Sequence, residues 1–307
     1  MTVCNVFAGG TLDRASERRG DRDWIARMRD DPQSRYVVLW RDRCLAVAEE
    51  PARPCYLSLA AARDLGLDGA PAIFLGLDGA VAYFAIDAGE QAPEAADDPI
   101  NGALAGRGAL LDLRAAGRLM AASDAAMLAH ARALMYWHAR HRYCGACGGP
   151  TEVREAGHQR LCVDPACGLQ HFPRTDPAVI MLVHDGDRCL MGRQASWPEG
   201  QYSVLAGFVE PGESLEEAVA REVAEEVGVA IADARYHSSQ PWPFPASIML
   251  GFQARATTTE LRIDHAEIED ARWISRADLR DPPEGFRLPN AQSISRRLVE
   301  DWLAGRM

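Results

Sequence analysis

The sequence contains no lysine; all 33 of its basic residues are arginine. That absence excludes Schiff-base chemistry, a lysine-activated serine and the phosphate-loop lysine. The accompanying arginine and alanine excess is what a GC-rich coding genome produces. Long apolar runs are missing as well. A run such as residues 178–183 is far short of the ~20 residues a membrane span needs. The start, Met1-Thr2-Val3-Cys4-Asn5, has no basic stretch leading into an apolar core. It therefore predicts no secretory signal, a cytoplasmic protein and no membrane partner.

The chain has 307 residues, 48% hydrophobic and 25% charged, with a formal charge of −11. This composition is that of a globular protein and excludes a disordered acidic tail, a collagen-like rod and a disulfide-dense mini-protein. The length predicts two compact units and a small third one. Net acidity argues against a generic duplex binder, which needs clustered positive charge.

Residues 1–122 read as an α+β domain of short apolar runs, among them 36–40 and 72–77, the latter ending at an Asp78-Gly79 turn. The stretch 88–101, rich in Ala, Glu, Asp and Pro, reads as an exposed loop. No motif in this domain carries chemistry, which makes it a scaffold or dimerisation unit. Ser123-Asp124 predicts the cap of a linking helix over 123–142, with Leu128, Ala131, Leu134 and Met135 at helical spacing. His130 and His138 on that helix lack an acidic or cysteine partner at i+4 and read as packing residues.

Of eight cysteines, Cys4, Cys44, Cys55 and Cys189 are scattered, while Cys144, Cys147, Cys162 and Cys167 cluster. The cluster pairs a Cys-x2-Cys knuckle, followed by glycine, with a Cys-x4-Cys knuckle. Four thiolates in two knuckles predict the closed tetrahedral site of structural zinc, one ion per chain, within a ribbon over 143–173. A redox dithiol or disulfides are the competing readings, and neither needs two pairs. Holding a small coreless fold together is the commoner duty of such a site, so no DNA reading is assigned to it.

The remaining chain, 174–307, opens with a buried strand at 178–183, a turn at Asp185-Gly186 and a second strand near Cys189. Its informative stretch runs from Gly207 to Val229 and holds seven glutamates against one arginine, −6 of the total charge on 23 residues. Ser214 predicts a helix N-cap and Gly228 its end. Glu222, Glu225 and Glu226 stand at i, i+3 and i+4 and share one face. Like charges so placed repel, so the face predicts a bound cation. Oxygen ligands without thiolate or imidazole point to Mg²⁺ or Mn²⁺, the usual device for neutralising a diphosphate and acidifying water.

Gly207-x5-Glu213-x7-Arg221-Glu222-Val223-Ala224-Glu225-Glu226-Val227-Gly228-Val229 resembles the Nudix box at every defined position. A second block, Ser239-Gln240-Pro241-Trp242-Pro243-Phe244-Pro245-Ala246-Ser247, is similar to the signature of NADH pyrophosphatases within that family. The knuckles and the segment His171-Phe172-Pro173-Arg174-Thr175-Asp176-Pro177 fit the same subfamily. The resemblance covers roughly residues 125–305 and implies an α+β/α/β protein: N-terminal α+β domain, zinc ribbon, then an α/β/α Nudix sandwich with a mixed sheet.

The resemblance also implies roles. Glu222 and Glu226 are metal ligands, and Glu225 is a ligand or the base that deprotonates the attacking water. Glu267 and the backbone carbonyl of Ala206 complete a site for two or more divalent ions. Phe208 stacks on a nucleotide ring, and Gln240, Pro241, Trp242, Pro243, Phe244, Pro245, Ala246 and Ser247 line the pocket that selects a dinucleotide. Arg221 pairs with Glu213. Phe172 and Arg114 face substrate across the interface of an expected homodimer, and Ser295 stands where an alanine is frequent beside the substrate. The implied reaction is divalent-metal-dependent cleavage of NADH or NAD⁺ to nicotinamide mononucleotide and AMP. Alternatives are removal of NAD caps from RNA, or a silent nucleotide-sensing regulator that binds DNA.

Overall fold

The computed structural model describes residues 4–40, 43–67, 69, 71–89 and 106–306. Most of the loop expected over 88–101 therefore lies outside the described residues. Two units of dense internal contact emerge: residues 6–174 with 243–246, and residues 4–5, 175–242 and 247–306.

In the first unit, strands β1 (Arg35–Trp40), β2 (Arg43–Val47), β3 (Arg53–Pro54), β4 (Ala72–Asp78), β5 (Val81–Asp87) and β6 (Ala109–Asp112) form one sheet. Its order is β3-β2-β1-β5-β4, with β6 on β2. The runs at 36–40 and 72–77 are its central strand β1 and edge strand β4. Tyr36, Val38, Phe74 and Phe84 form the core beneath helices α1 (Arg22–Asp30) and α2 (Leu59–Asp64). A short helix α3 (Leu113–Ala116) precedes the long α4 (Ala122–Arg140).

Helix α4 starts one residue earlier than Ser123-Asp124 predicts, and its N-cap, Ala121, offers no side-chain bond. Asp124 is instead drawn to the Tyr56 hydroxyl, which donates to its Oδ1 at 2.7 Å. A tertiary partner outcompetes the local cap here. Leu128, Ala131, Leu134 and Met135 are buried as their spacing predicts. His138 is a packing residue: its Nε2 donates to Gly157 O at 2.8 Å and its Nδ1 accepts from Arg160 Nη1 at 3.0 Å. Burial lowers its pKa to about 4, so it stays neutral. The ribbon follows as a three-stranded sheet of β7 (Thr151–Arg154), β8 (Gln159–Cys162) and β9 (Gln170–His171).

The second unit is a six-stranded mixed sheet ordered β13-β14-β10-β11-β15, with β12 paired to β10. Its strands are β10 (Asp176–His184), β11 (Arg188–Arg193), β12 (Leu205–Phe208), β13 (Ile231–Trp242), β14 (Ser247–Ala256) and β15 (Asp270–Ser275). Strands β10 and β14 run parallel and the other pairs antiparallel. The run 178–183 is continuous because both faces of β10 are covered. Val179, Met181 and Val183 pack with helix α5 (Leu215–Val227). Ile180 and Leu182 pack on the other face with helix α7 (Ile294–Leu303). Between β15 and α7 lies the short α6 (Arg276–Arg280). No helix among the described residues is long and apolar enough to cross a membrane.

Candidate active site and metal centres

Helix α5 begins as a full capping box. The Ser214 hydroxyl accepts from Glu217 N, and Glu217 Oε2 accepts from Ser214 N at 2.7 Å. Gly228 closes the helix in the left-handed region at φ 70°. With both ends fixed, Glu222 and Glu226 project from one face and are buried, 8% and 6% exposed. A third carboxylate reaches them from a distant loop. Asp264 N donates to Glu226 O at 2.9 Å, and Asp264 Oδ1 accepts from Ala266 N at 2.9 Å. The turn thus pinned to the helix end presents Glu267. One carboxylate oxygen each from Glu222, Glu226 and Glu267 lies within 4.8 Å of the others.

These residues fit a divalent cation. Three hard oxygen donors converge, and Glu226 Oε2 is buried without a hydrogen-bond partner among the described residues. The backbone has been hollowed out for them: a Cβ on Gly207 would sit 1.8 Å from the Glu222 carboxylate carbon. Burial, followed by the charges of Glu222 and Glu267, pushes Glu226 up to about 8. Burial likewise raises Glu222. A cation between them would offset the desolvation that raises Glu222 and Glu226.

Arg221 holds the frame. It donates Nε and Nη2 to the two oxygens of Glu213 at 2.7 and 2.9 Å. Its Nη1 donates to Glu222 Oε1 and Glu225 Oε2, both at 2.9 Å, and Nη2 also reaches Phe208 O at 2.9 Å. That bidentate grip, with Glu210 N donating to Glu213 Oε2 at 3.0 Å, holds Glu213 down to about 2. Glu225 is half exposed (54%) and held by Arg221, beside the Glu222/Glu226/Glu267 cluster and not within it.

A cavity of about 210 Å³ opens beside the cluster, with Glu226 and Ala206 in its lining. Its apolar walls include Ile180, Leu205, Met249 and Ile294, and Trp197 and Trp242 also face it. Gln240 lines it too, but its amide is spent: Oε1 accepts from Ile294 N and Nε2 donates to Gln292 O, each at 2.8 Å. Ser295 is buried at the first turn of α7. Phe208 is exposed (60%) at the end of β12. Pro241 continues β13 opposite Ile248, and Ser247 opens β14 opposite Trp242. Residues Pro243–Ala246 group with the first unit, where the Phe244 ring lies 5.4 Å from Phe7, 4.7 Å from the Arg132 guanidinium and 5.9 Å from that of Arg114. Phe172, just after β9, is exposed.

Sequence reasoning missed Arg193, Trp197, Ser203 and Met249. The first grips the turn that carries the second, donating from Nη2 to Trp197 O at 3.2 Å, while its Nη1 pairs with Glu269. The Trp-Pro-Glu-Gly turn at 197–200 was the available signal.

The four ribbon sulfurs converge as well, all within 4.8 Å. Cys144 and Cys167 Sγ are 3.8 Å apart, and Cys147 and Cys162 Sγ 3.4 Å. A tetrahedron of Zn–S bonds of about 2.3 Å places its sulfurs about 3.8 Å apart, so the set fits zinc. The amides of Cys147 and Ala146 hold the Cys144 thiol down to about 6. The longer second knuckle is absorbed by a turn: Cys167 N donates to Asp164 O at 3.0 Å and Ala166 N to Asp164 Oδ1 at 2.9 Å, with Pro165 between.

Three family models match the chain in succession: a NADH pyrophosphatase-like rudimentary NUDIX domain over 33–137, a NADH pyrophosphatase zinc ribbon domain over 139–172, and a NUDIX domain over 174–298. The NAD-capped RNA hydrolase NUDT12 of Homo sapiens is 42% identical over 193 residues, 59% of this chain and 42% of that protein. The NAD-capped RNA hydrolase NudC of Mycobacterium bovis is 44% identical over 206 residues, 63% of this chain and 65% of that protein. The chain spans less than two thirds of the length of either relative. With its glutamate cluster inside the NUDIX match and its four cysteines inside the ribbon match, the chain belongs to the Nudix hydrolase family, in the zinc-ribbon branch named for NADH pyrophosphatase.

Proposed function

We propose that this protein hydrolyses the diphosphate of NADH or NAD⁺, giving a nicotinamide mononucleotide and AMP. The observation that carries this reading is the adjacency of the Glu222/Glu226/Glu267 cluster to a largely apolar cavity with two tryptophans on its lining. Glu222, Glu226, Glu267 and the Ala206 carbonyl would hold Mg²⁺ or Mn²⁺, two or more ions per site. When bound, these ions supply positive charge to the diphosphate and acidify water. Glu225, outside the cluster and exposed, accepts the proton of the attacking water. The water oxygen bonds to one phosphorus, the bridging P–O bond breaks, and its electrons leave with the departing monophosphate. Arg221 orients Glu225 through their 2.9 Å bond. Phe208 and Trp242 supply stacking faces for a base, and the rest of the 240–247 block, with Phe172, Arg114 and Ser295, completes substrate recognition.

NAD-capped RNA contains the same bond, and the names of the two relatives favour it as a second substrate. The ribbon carries one structural zinc and reads no DNA. Its exposed apolar side chains, Tyr143, Val153, Val163, Leu169 and Phe172, support a second copy of the chain as partner, in a cytoplasmic homodimer. Light scattering checks the dimer; a monomer at working concentration refutes it.

The test of function is a panel of NADH, NAD⁺, ADP-ribose, diadenosine polyphosphates and NAD-capped RNA, each with Mg²⁺ or Mn²⁺. NADH or NAD⁺, free or as the RNA cap, turns over fastest by kcat/KM. ADP-ribose clearly ahead of them would remove the dinucleotide reading.

A further inference from the structure

The first unit holds a second cavity, of about 360 Å³, which shares no lining residue with the one beside the glutamates. Three elements wall it. Met135, His138 and Ala139 stand at i, i+3 and i+4 on one face of α4. Thr151 and Val153 alternate on β7 and share a face, with Arg160 on β8 opposite Val153. Ala72 and Ile73 begin the edge strand β4. Ile73, Met135 and Thr151 are buried whereas Ala139 and Val153 are exposed, so the cavity reaches from the core to solvent. Its volume falls at the low end of the range for small-molecule pockets.

The charged groups on this wall favour one sign of ligand. Arg160 donates from Nε to Thr151 Oγ1 at 2.7 Å, from Nη2 to Thr151 O at 3.0 Å and from Nη1 to His138 Nδ1 at 3.0 Å. Thr151 is oriented in turn, its hydroxyl donating to His141 O at 2.6 Å. These three acceptors are uncharged, His138 included, so they fix the plane of the guanidinium without neutralising it. Arg142 brings a second guanidinium to the lining and Asp87 its one carboxylate. The lining therefore carries one positive charge in excess, within a chain whose formal charge is −11. A guanidinium fixed in plane is preorganised for the planar fork of a carboxylate. We propose that this cavity is a second ligand site, for a small organic monocarboxylate whose apolar body packs on Ile73, Met135 and Val153 and whose carboxylate pairs with Arg160 and Arg142. A phosphate monoester, with more than one negative charge at pH 7, exceeds the charge of the lining. The ligand bridges α4, β4 and the ribbon strands, so its binding stabilises the ribbon against the sheet. This site is independent of the reaction proposed above.

The test uses the full-length protein and four probes of one shape: benzoate, neutral benzamide, cationic benzylamine and dianionic phenyl phosphate. Ligand-detected NMR titration gives each Kd, and melting curves give the accompanying shift. Benzoate should bind and raise the melting temperature, with benzamide and benzylamine at least about tenfold weaker, the range of a charge-assisted hydrogen bond. Phenyl phosphate should bind no more tightly than benzoate. Ala139→Trp fills the cavity from an exposed helix position and should weaken benzoate at least about tenfold. Arg160→Gln should weaken benzoate by a similar factor and leave benzamide unchanged. Should Arg160→Gln not fold, Arg142→Gln, altering an exposed residue, decides with the same expected selectivity. Equal affinity for benzoate and benzamide, binding of none of the four, or unweakened benzoate binding to Ala139→Trp overturns the proposal. Tighter binding of phenyl phosphate than of benzoate overturns it too, by reassigning the cavity to phosphate monoesters.

Discussion

Replacing Gly207 by alanine changes no ligand and no charge, yet it attacks the metal site directly. The added Cβ would lie 1.8 Å from the Glu222 carboxylate carbon and 1.9 and 2.0 Å from its oxygens, where ordinary contact begins at 3.4 Å. Strand β12 cannot yield, because Gly207 is in register with Val179 on the central strand β10. The carboxylate must retreat by about 1.5 Å, and misplacing a catalytic group by about 1 Å can cost ~100-fold in rate. The fold suffers less, since the group displaced is the free end of a flexible chain. We expect kcat/KM for NADH to fall about 100-fold at fixed Mg²⁺, with partial recovery as Mg²⁺ is raised. The thermal midpoint should move by no more than about 4 °C, a cost of order 1 kcal/mol. Steady-state kinetics across a Mg²⁺ titration, paired with a melting curve, checks both halves. If Gly207→Ala keeps a third of wild-type kcat/KM at low Mg²⁺, Glu222 is not a ligand and the cradle reasoning fails.

Further outcomes follow from the same geometry. Glu225→Gln should lower kcat by several orders of magnitude at unchanged melting temperature; retention of most activity removes Glu225 as base. Arg221→Lys gives up the bidentate grip on Glu213 and the reach to Glu222, Glu225 and Phe208 O, so kcat should drop about 10- to 100-fold. In chelator, Glu226→Gln should stabilise the protein, because the folded pKa of about 8 exceeds the usual 4.5. The wild type loses stability as pH rises between those values, so the variant's advantage is near zero at pH 5 and largest at pH 8. Calorimetry that finds the advantage constant with pH refutes the buried, charge-crowded carboxylate. Cys162→Ser, or zinc removal by a strong chelator, should unfold the ribbon, read as protease sensitivity within 143–173.

Much of the site was legible because its signals are local. Helical spacing alone puts Glu222 and Glu226 on one face, and the knuckle spacings bring four sulfurs together. Glu267 was reachable only through family resemblance, since a turn pinned to Glu226 O delivers it. The cavity was far less visible. Ile180, Met249 and Ile294 read as ordinary core in any one-dimensional pattern, and only the sheet order makes them neighbours. Gln240 shows the converse limit: the motif marks it, but the structure spends its amide on the 292–294 backbone. Ser123-Asp124 failed as a cap because Tyr56, 68 residues from Asp124, offered a better bond.

The central claim is that the glutamate cluster serves cleavage of a dinucleotide's diphosphate. Product analysis of NADH incubated with the wild-type protein tests it most directly, by ³¹P NMR with Mg²⁺ and again with chelator. Reduced nicotinamide mononucleotide and AMP should appear in equal amounts with Mg²⁺ and not with chelator. Release of free nicotinamide with the diphosphate intact, or the same products at the same rate in chelator, would contradict it.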